Sequence, residues 1–331
     1  MNYSSSALKT FVGSVALVTL VGCDAAVVDA GAHDRQFEGG SCPVWQCGYN
    51  SAEVNGRAIH DLNLDGEAND DGMRVVGFLA PAGILGDYEL TTEDDELVAR
   101  DANGIGKDLR GVALLGATIL VQDSSPLSLP LPITILNYQE IPSWAAGAAP
   151  VATYAMVYPD VDALIGQRNV CTGDLLDTLT SAVTVLGGEV YDLETKTVKP
   201  ADRWLTLACA GSAAAKLRLL NYGPQSDFDG EGHPATLEQR QATLKMITAD
   251  YCGDGHSYTK NGTPLTWENA DGTVEATNFG SLEAVWTAKG ALCLETTRLR
   301  DVDVGCALPK CSGMTLDDGE WQTRVPRSQL K

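Results

Sequence analysis

Asp61-Leu-Asn63-Leu-Asp65-Gly66-Glu67-Ala-Asn69-Asp70-Asp71-Gly72 spaces side-chain oxygens at alternate positions, as a calcium loop does. Asp61, Asn63 and Asp65 would supply three ligands, and Gly66 permits the sharp turn. The Glu67 carbonyl and Asn69 would follow, with Asp70 or Asp71 closing a shortened shell. Position twelve is Gly72, where an EF-hand places a bidentate glutamate, and no helical pattern flanks the motif. The competing reading is a polar turn that leads into a strand at Met73.

Other groups carry weaker chemistry. Asp227-Phe-Asp229-Gly-Glu231-Gly-His233 is a second acidic glycine loop, short of a third spaced ligand, and reads as a turn. Asp254, His256 and Ser257 contain the residue types of a hydrolase site. Side chains so close in sequence rarely form a triad, and no G-x-S-x-G elbow is present. A hydrolase working through His256 or His233 is therefore the third choice, behind a binding module and a calcium-dependent one.

Nine cysteines set the compartment. Cys23 closes the run Leu20-Val-Gly-Cys23, after Lys9 and an apolar stretch from Phe11 to Val21. That stretch fits a secretory leader and is too short for a spanning helix of about 20 residues. Its end looks like a bacterial lipobox, which implies cleavage after residue 22, acylation of Cys23 and a membrane held through lipid. Asp24 resembles the signal for retention at the inner membrane, so the periplasmic face of that membrane or the outer membrane is expected. Eight cysteines remain, an even number that in an exported chain implies disulfides. Cys42–Cys47 and Cys306–Cys311 would close local loops, and Cys171–Cys209 and Cys252–Cys293 loops of about 40 residues. The alternative for the two C-x4-C pairs is a four-thiolate zinc site, disfavoured by an oxidising compartment.

The elements that must position these groups read as mostly β (α+β), with short antiparallel strands and two short helices in the C-terminal half. Residues 23–41 are small and acidic, a tether. Residues 42–145 read as a β-rich domain, with strands at Met73–Leu79, Glu96–Arg100 and Pro132–Tyr138 and a buried strand over Gly111–Val121. Pro142–Pro150 reads as a seam. A second domain spans 150–311, with strands at Val151–Tyr158 and Arg203–Cys209 and Gly187-Gly188 as a hairpin turn. Ser212 caps one helix, and Thr236 with Gln239 makes a capping box for another, ending near Cys252-Gly253. Residues 312–331 read as a frayed polar tail.

The second helix runs into Ala249-Asp250-Tyr251-Cys252-Gly-Asp-Gly255. This resembles the ADYC domain, a bacterial family named for that tetrapeptide. Trp204-Leu-Thr-Leu-Ala-Cys209, Asn221-Tyr-Gly-Pro224, Ser257-Tyr-Thr-Lys-Asn-Gly-Thr-Pro264 and Leu282–Cys293 carry the likeness over about 150–300. The resemblance implies an exported, disulfide-bonded module of myxobacterial type, in a family of unknown function, and no activity. It also implies a further cysteine pair near Lys216 and Thr243 in other members, which this chain lacks.

The whole composition narrows the partners. Net charge is −21, from 23 Lys+Arg against 44 Asp+Glu, and aromatics are 6%. A nucleic-acid binder must neutralise phosphates, and an anionic surface attracts polybasic segments, so both are disfavoured. No cofactor is called for beyond calcium. The expectation is a lipid-anchored envelope protein, more a non-catalytic binding or structural module than an enzyme, with a protein or glycan as its partner.

Overall fold

In the computed structural model, residues 51–125, 127–163, 165–171, 180–260, 262–275 and 280–326 are described. Cys23 and the expected leader, tether and Cys42–Cys47 pairing lie outside them. The strands in chain order are β1 (Glu53–Val54), β2 (Arg57–Ala58), β3 (Asp61–Asn63), β4 (Met73–Leu79), β5 (Tyr88–Glu93), β6 (Glu96–Asp101), β7 (Leu109–Arg110), β8 (Thr118–Asp123) and β9 (Leu131–Ile141). Then come β10 (Val151–Pro159), β11 (Gln167–Asn169), β12 (Val183–Asp192) and β13 (Thr197–Cys209), followed by α1 (Ala213–Leu219) and α2 (Leu237–Thr248). β14 (Thr266–Asn269), β15 (Ser281–Thr287), β16 (Gly290–Leu294) and β17 (Trp321–Val325) complete the series. The fold is mostly β, as the alternation of apolar residues requires.

The main sheet runs β3-β13-β12-β10-β9-β8-β4, with β11 beside β10, and every pair in it is antiparallel. Strands adjacent in sequence, β3 and β4, therefore stand at opposite ends of the strand order. Laid flat, those seven strands would spread about 29 Å. The loop between the two ends is folded into tight turns, Gly66 N–H on the Asn63 carbonyl and Gly72 N–H on the Asn69 carbonyl. A loop so folded cannot span that width, so the sheet curls until its end strands meet.

Side chains on one face of the main sheet, such as Ile119, Ile133, Val185 and Leu207, bury against Leu90, Leu97 and Leu109 of a three-stranded sheet, β5-β6-β7. On the other face Leu186, Tyr191 and Ala208 meet α1, α2 and a four-stranded sheet, β14-β17-β15-β16. The Pro142–Pro150 seam is packed into this second core. Trp144 N–H donates to the Leu219 carbonyl and Ala146 N–H to that of Thr273, and Ala145 is buried. One sheet draws strands from both sides of this segment, so the seam does not divide two sheets.

Several expectations are corrected. Gly111–Val121 is not one strand: Gly111 adopts φ 53 against the Tyr138 ring, opens a 3-10 turn over 111–114, and pairing starts at Thr118. Gly187 lies within β12, at a bulge, rather than in a hairpin turn. The polar tail contains β17, an inner strand whose Trp321 is fully buried and donates from Nε1 to Thr243 Oγ1 at 2.8 Å. α2 ends at Thr248, with Ala249 in the left-handed region (φ 51), four residues before Gly253. Both expected N-caps are present, Ser212 on α1 and the Thr236/Gln239 box on α2.

Candidate functional site

The tetrapeptide Ala249-Asp-Tyr-Cys252 follows α2 directly. Asp250 is fully buried, and its Oδ2 accepts from Lys245 Nζ at 2.6 Å and from Gly255 N–H at 2.9 Å. Its Oδ1 accepts from Asp254 N–H at 3.1 Å. Lys245, equally buried, spends a second proton on the Thr195 carbonyl at 3.0 Å. A side chain on Gly255 would strike the Glu194 carbonyl, so only glycine lets this turn close on the β12–β13 connection.

Tyr251 stacks on Trp286 with ring centroids 5.3 Å apart. Its hydroxyl donates to Glu283 Oε1 at 2.6 Å and accepts from Arg298 N–H at 2.8 Å. Burial and the Glu283 charge push that phenol far above its ordinary range, so it stays protonated. Arg298 pairs with Glu283 at 3.0 Å, and its Nη atoms donate to the Ile247 and Met246 carbonyls. Those carbonyls stand in the last turn of α2, where that of Met246 also accepts from Ala249 N–H and where a cation meets the negative end of the helix dipole. Each polar side chain of the signature is thus consumed in joining helix, turn and sheet.

Cys252 is bonded to Cys306, Cys293 to Cys311 and Cys171 to Cys209. The Cys171–Cys209 expectation holds. Cys252–Cys293 and Cys306–Cys311 do not, because the turn after α2 faces Cys306 and β16 faces Cys311. Cys306 and Cys311 are oxidised, which removes them from a four-thiolate zinc site, and a bridged Cys252 cannot act as a nucleophile. His256 packs on the Tyr258 ring at 4.4 Å, with its N–H on Asp254 Oδ1, and does not join Ser257 in a triad geometry.

The acidic loop Asp61–Gly72 is the seam of the curled sheet. Asn69 Nδ2 donates to the carbonyls of Ala58 (3.0 Å) and Asp61 (2.9 Å), while Oδ1 accepts from the N–H of Asp71 (3.1 Å) and Met73 (2.8 Å). One side chain thereby ties the β3 edge to the β4 edge. Asn63 Oδ1 accepts from the N–H of Asp65 and Glu67, Asp65 pairs with Arg203, and Asp71 Oδ2 accepts from Ala58 N–H at 2.7 Å. Asp61 holds Thr206 Oγ1 at 3.0 Å on one oxygen and His60 Nε2 at 3.2 Å on the other. Among the described residues, no three of the acidic side chains of this loop bring carboxylate oxygens within 4.8 Å of one another. Among the described residues, the group that brings three ligand atoms within 4.8 Å is Asp229, Glu231 and His233, all exposed.

A cavity of about 320 Å³ opens beside this seam, lined by His60, Asp61, Asn69, Asp71 and Trp204. The Asp61 hydrogen bond, with the charges of Asp61, Asp71 and Asp70, raises the His60 imidazole above its ordinary value, although burial opposes it. His60 Nδ1 is buried without a partner. The sequence showed His60 beside the loop but not Trp204, which β13 brings from far along the chain.

The model of the ADYC domain matches residues 111–300, more than half of the molecule. The chain belongs to the ADYC domain family. No curated protein and no solved structure matches it. The matched region of this ADYC protein begins after β7, so the three-stranded sheet and the acidic seam stand outside it while the signature turn stands inside. No described helix is long and apolar enough to cross a membrane.

Proposed function

We propose that this ADYC protein is exported and held to the bacterial cell envelope by lipid on Cys23, and that its folded part is a non-catalytic binding or structural module. The observation that carries the reading is the state of the cysteines. All six in the described residues are paired in three disulfides, a state that persists in oxidising compartments. The leader ending in Leu20-Val-Gly-Cys23 supplies the route there. The non-catalytic half is supported by the use of Asp250, Tyr251 and Cys252 in hydrogen bonds and a disulfide. Buried groups so paired are fixed in place rather than poised to react.

The test is fatty-acid labelling and fractionation of wild type and Cys23→Ser in a Gram-negative host. Wild type should take up label and sediment with membranes, and the variant should be unlabelled and released by osmotic shock. Unlabelled wild type in the cytoplasm with titratable thiols would overturn the reading.

A further inference from the structure

Asp95, at the tip of the β5–β6 hairpin, is buried against the ADYC domain while its neighbour Asp94 is exposed, although the hairpin itself precedes the family match. Asp94 and Asp95 both take left-handed backbone, φ 54, and turn the fully buried Asp95 carboxylate inward. Its Oδ2 accepts from Gln225 N–H at 3.1 Å and Ser226 Oγ at 2.9 Å, and its Oδ1 from Gly187 N–H at 3.3 Å. Gly187 and Gly223 make the space, since a Cβ on either would collide with Thr92 or Asp95. This accounts for a glycine inside β12.

Arg218 forms the wall behind, only 5% exposed. Its Nη1 donates to Ser226 Oγ at 3.1 Å and its Nη2 to the Asp94 carbonyl at 3.1 Å. Its Nε has no partner and stands 3.9 Å from Asp95 Oδ2, beyond hydrogen-bond reach. A guanidinium is a fork that suits a carboxylate bidentately, and a buried donor left unmade is costly. The hairpin's carboxylate therefore fills the socket without satisfying it. Consistently, burial drives the Asp95 carboxyl above its usual range despite the opposing Arg218 charge. Gly187, Arg218, Gly223, Gln225 and Ser226 all lie within the family match, whereas Asp95 does not.

We propose that the ADYC domain carries a carboxylate-binding socket, that Asp95 occupies it in cis, and that a carboxylate from another molecule takes it when the hairpin tip leaves. This gives the binding half of the proposed function a ligand class and rests on that reading for its purpose. Labelling at Cys23 and carboxylate capture are separate readouts, so either can fail alone.

Asp95→Gly in the full chain, purified in mild detergent, vacates the socket with little backbone strain, because glycine accepts φ 54. Its melting midpoint should lie below wild type in sodium chloride and recover by several degrees in saturating sodium acetate of equal ionic strength. Wild type and Asp95→Asn, whose sockets are filled, should not respond, and adding Arg218→Lys to Asp95→Gly should abolish the recovery. The linear peptide Thr-Thr-Glu-Asp-Asp-Glu, copied from residues 91–96, is the second probe. Recovery at far lower concentration than acetate assigns an acidic polypeptide as the ligand, and recovery with acetate alone a small acid. If Asp95→Gly fails to fold in chloride, refolding in acetate should yield soluble protein. No recovery with either probe, or an equal shift in wild type, overturns the proposal.

Discussion

His60 shows what one side chain contributes at the seam. Its Nε2 lies 3.2 Å from Asp61 Oδ2, and the charges of Asp70 and Asp71 add to the pull that raises its pKa. A histidine whose folded pKa is raised contributes stability that is fully present below the unfolded value, near 6.5, and is lost as pH rises through the folded value. The partners are about one-fifth exposed, so the pair contributes at most about 1 kcal/mol. His60→Gln should therefore match wild type above the folded pKa and melt lower than it by about 2 °C at pH 6. A difference that stays constant between pH 6 and 9 would refute the ion pair. The sequence places His60 beside its acidic partners, but not beside Trp204, which β13 supplies to the same cavity.

At the scale of elements, legibility follows locality. The N-caps of α1 and α2 depend on residues three apart, and β4 and β10 on strict local pattern, so all four were readable in advance. β17 was missed because its polar residues are buried by an inner position that only the tertiary fold provides. The disulfide partners of Cys252 and Cys293 were missed for the same reason. The acidic loop is the instructive intermediate: its ligand spacing is real, yet its oxygens serve the strand edges. Asn69→Ala would break four hydrogen bonds joining β3, β4 and the loop, and should cost about 2 kcal/mol in urea denaturation, since stranded backbone partners lose their bonds. The melting midpoint should be equal in excess calcium and in EDTA. A calcium-dependent rise of several degrees would show that the loop reopens around an ion.

For the whole molecule, two cores share one sheet, and the disulfides are distributed unequally between them. Cys171–Cys209 lies in the core beneath the three-stranded sheet, with its cysteines 4% and 1% exposed. Cys293–Cys311 is similarly shielded, at 0% and 5%. Cys252, in the turn that gathers Lys245, Tyr251 and Arg298, and Cys306, between β16 and β17, are each half-buried. Thiolate attack needs access to sulfur, so reduction under native conditions should follow exposure rather than loop length. Mild dithiothreitol followed by alkylation and peptide mapping should modify Cys252 and Cys306 first, with the other four protected until the chain unfolds. Cutting that bridge frees a 54-residue separation and should cost about 4 kcal/mol by chain entropy. That loss is large against the 5–15 kcal/mol typical of folded domains. Since α2, the signature turn and the four-stranded sheet share this core, their protection from hydrogen exchange should fall together, while β8 and β9 of the other core keep theirs. Uniform loss across both cores would mean that the shared sheet couples them into a single cooperative unit.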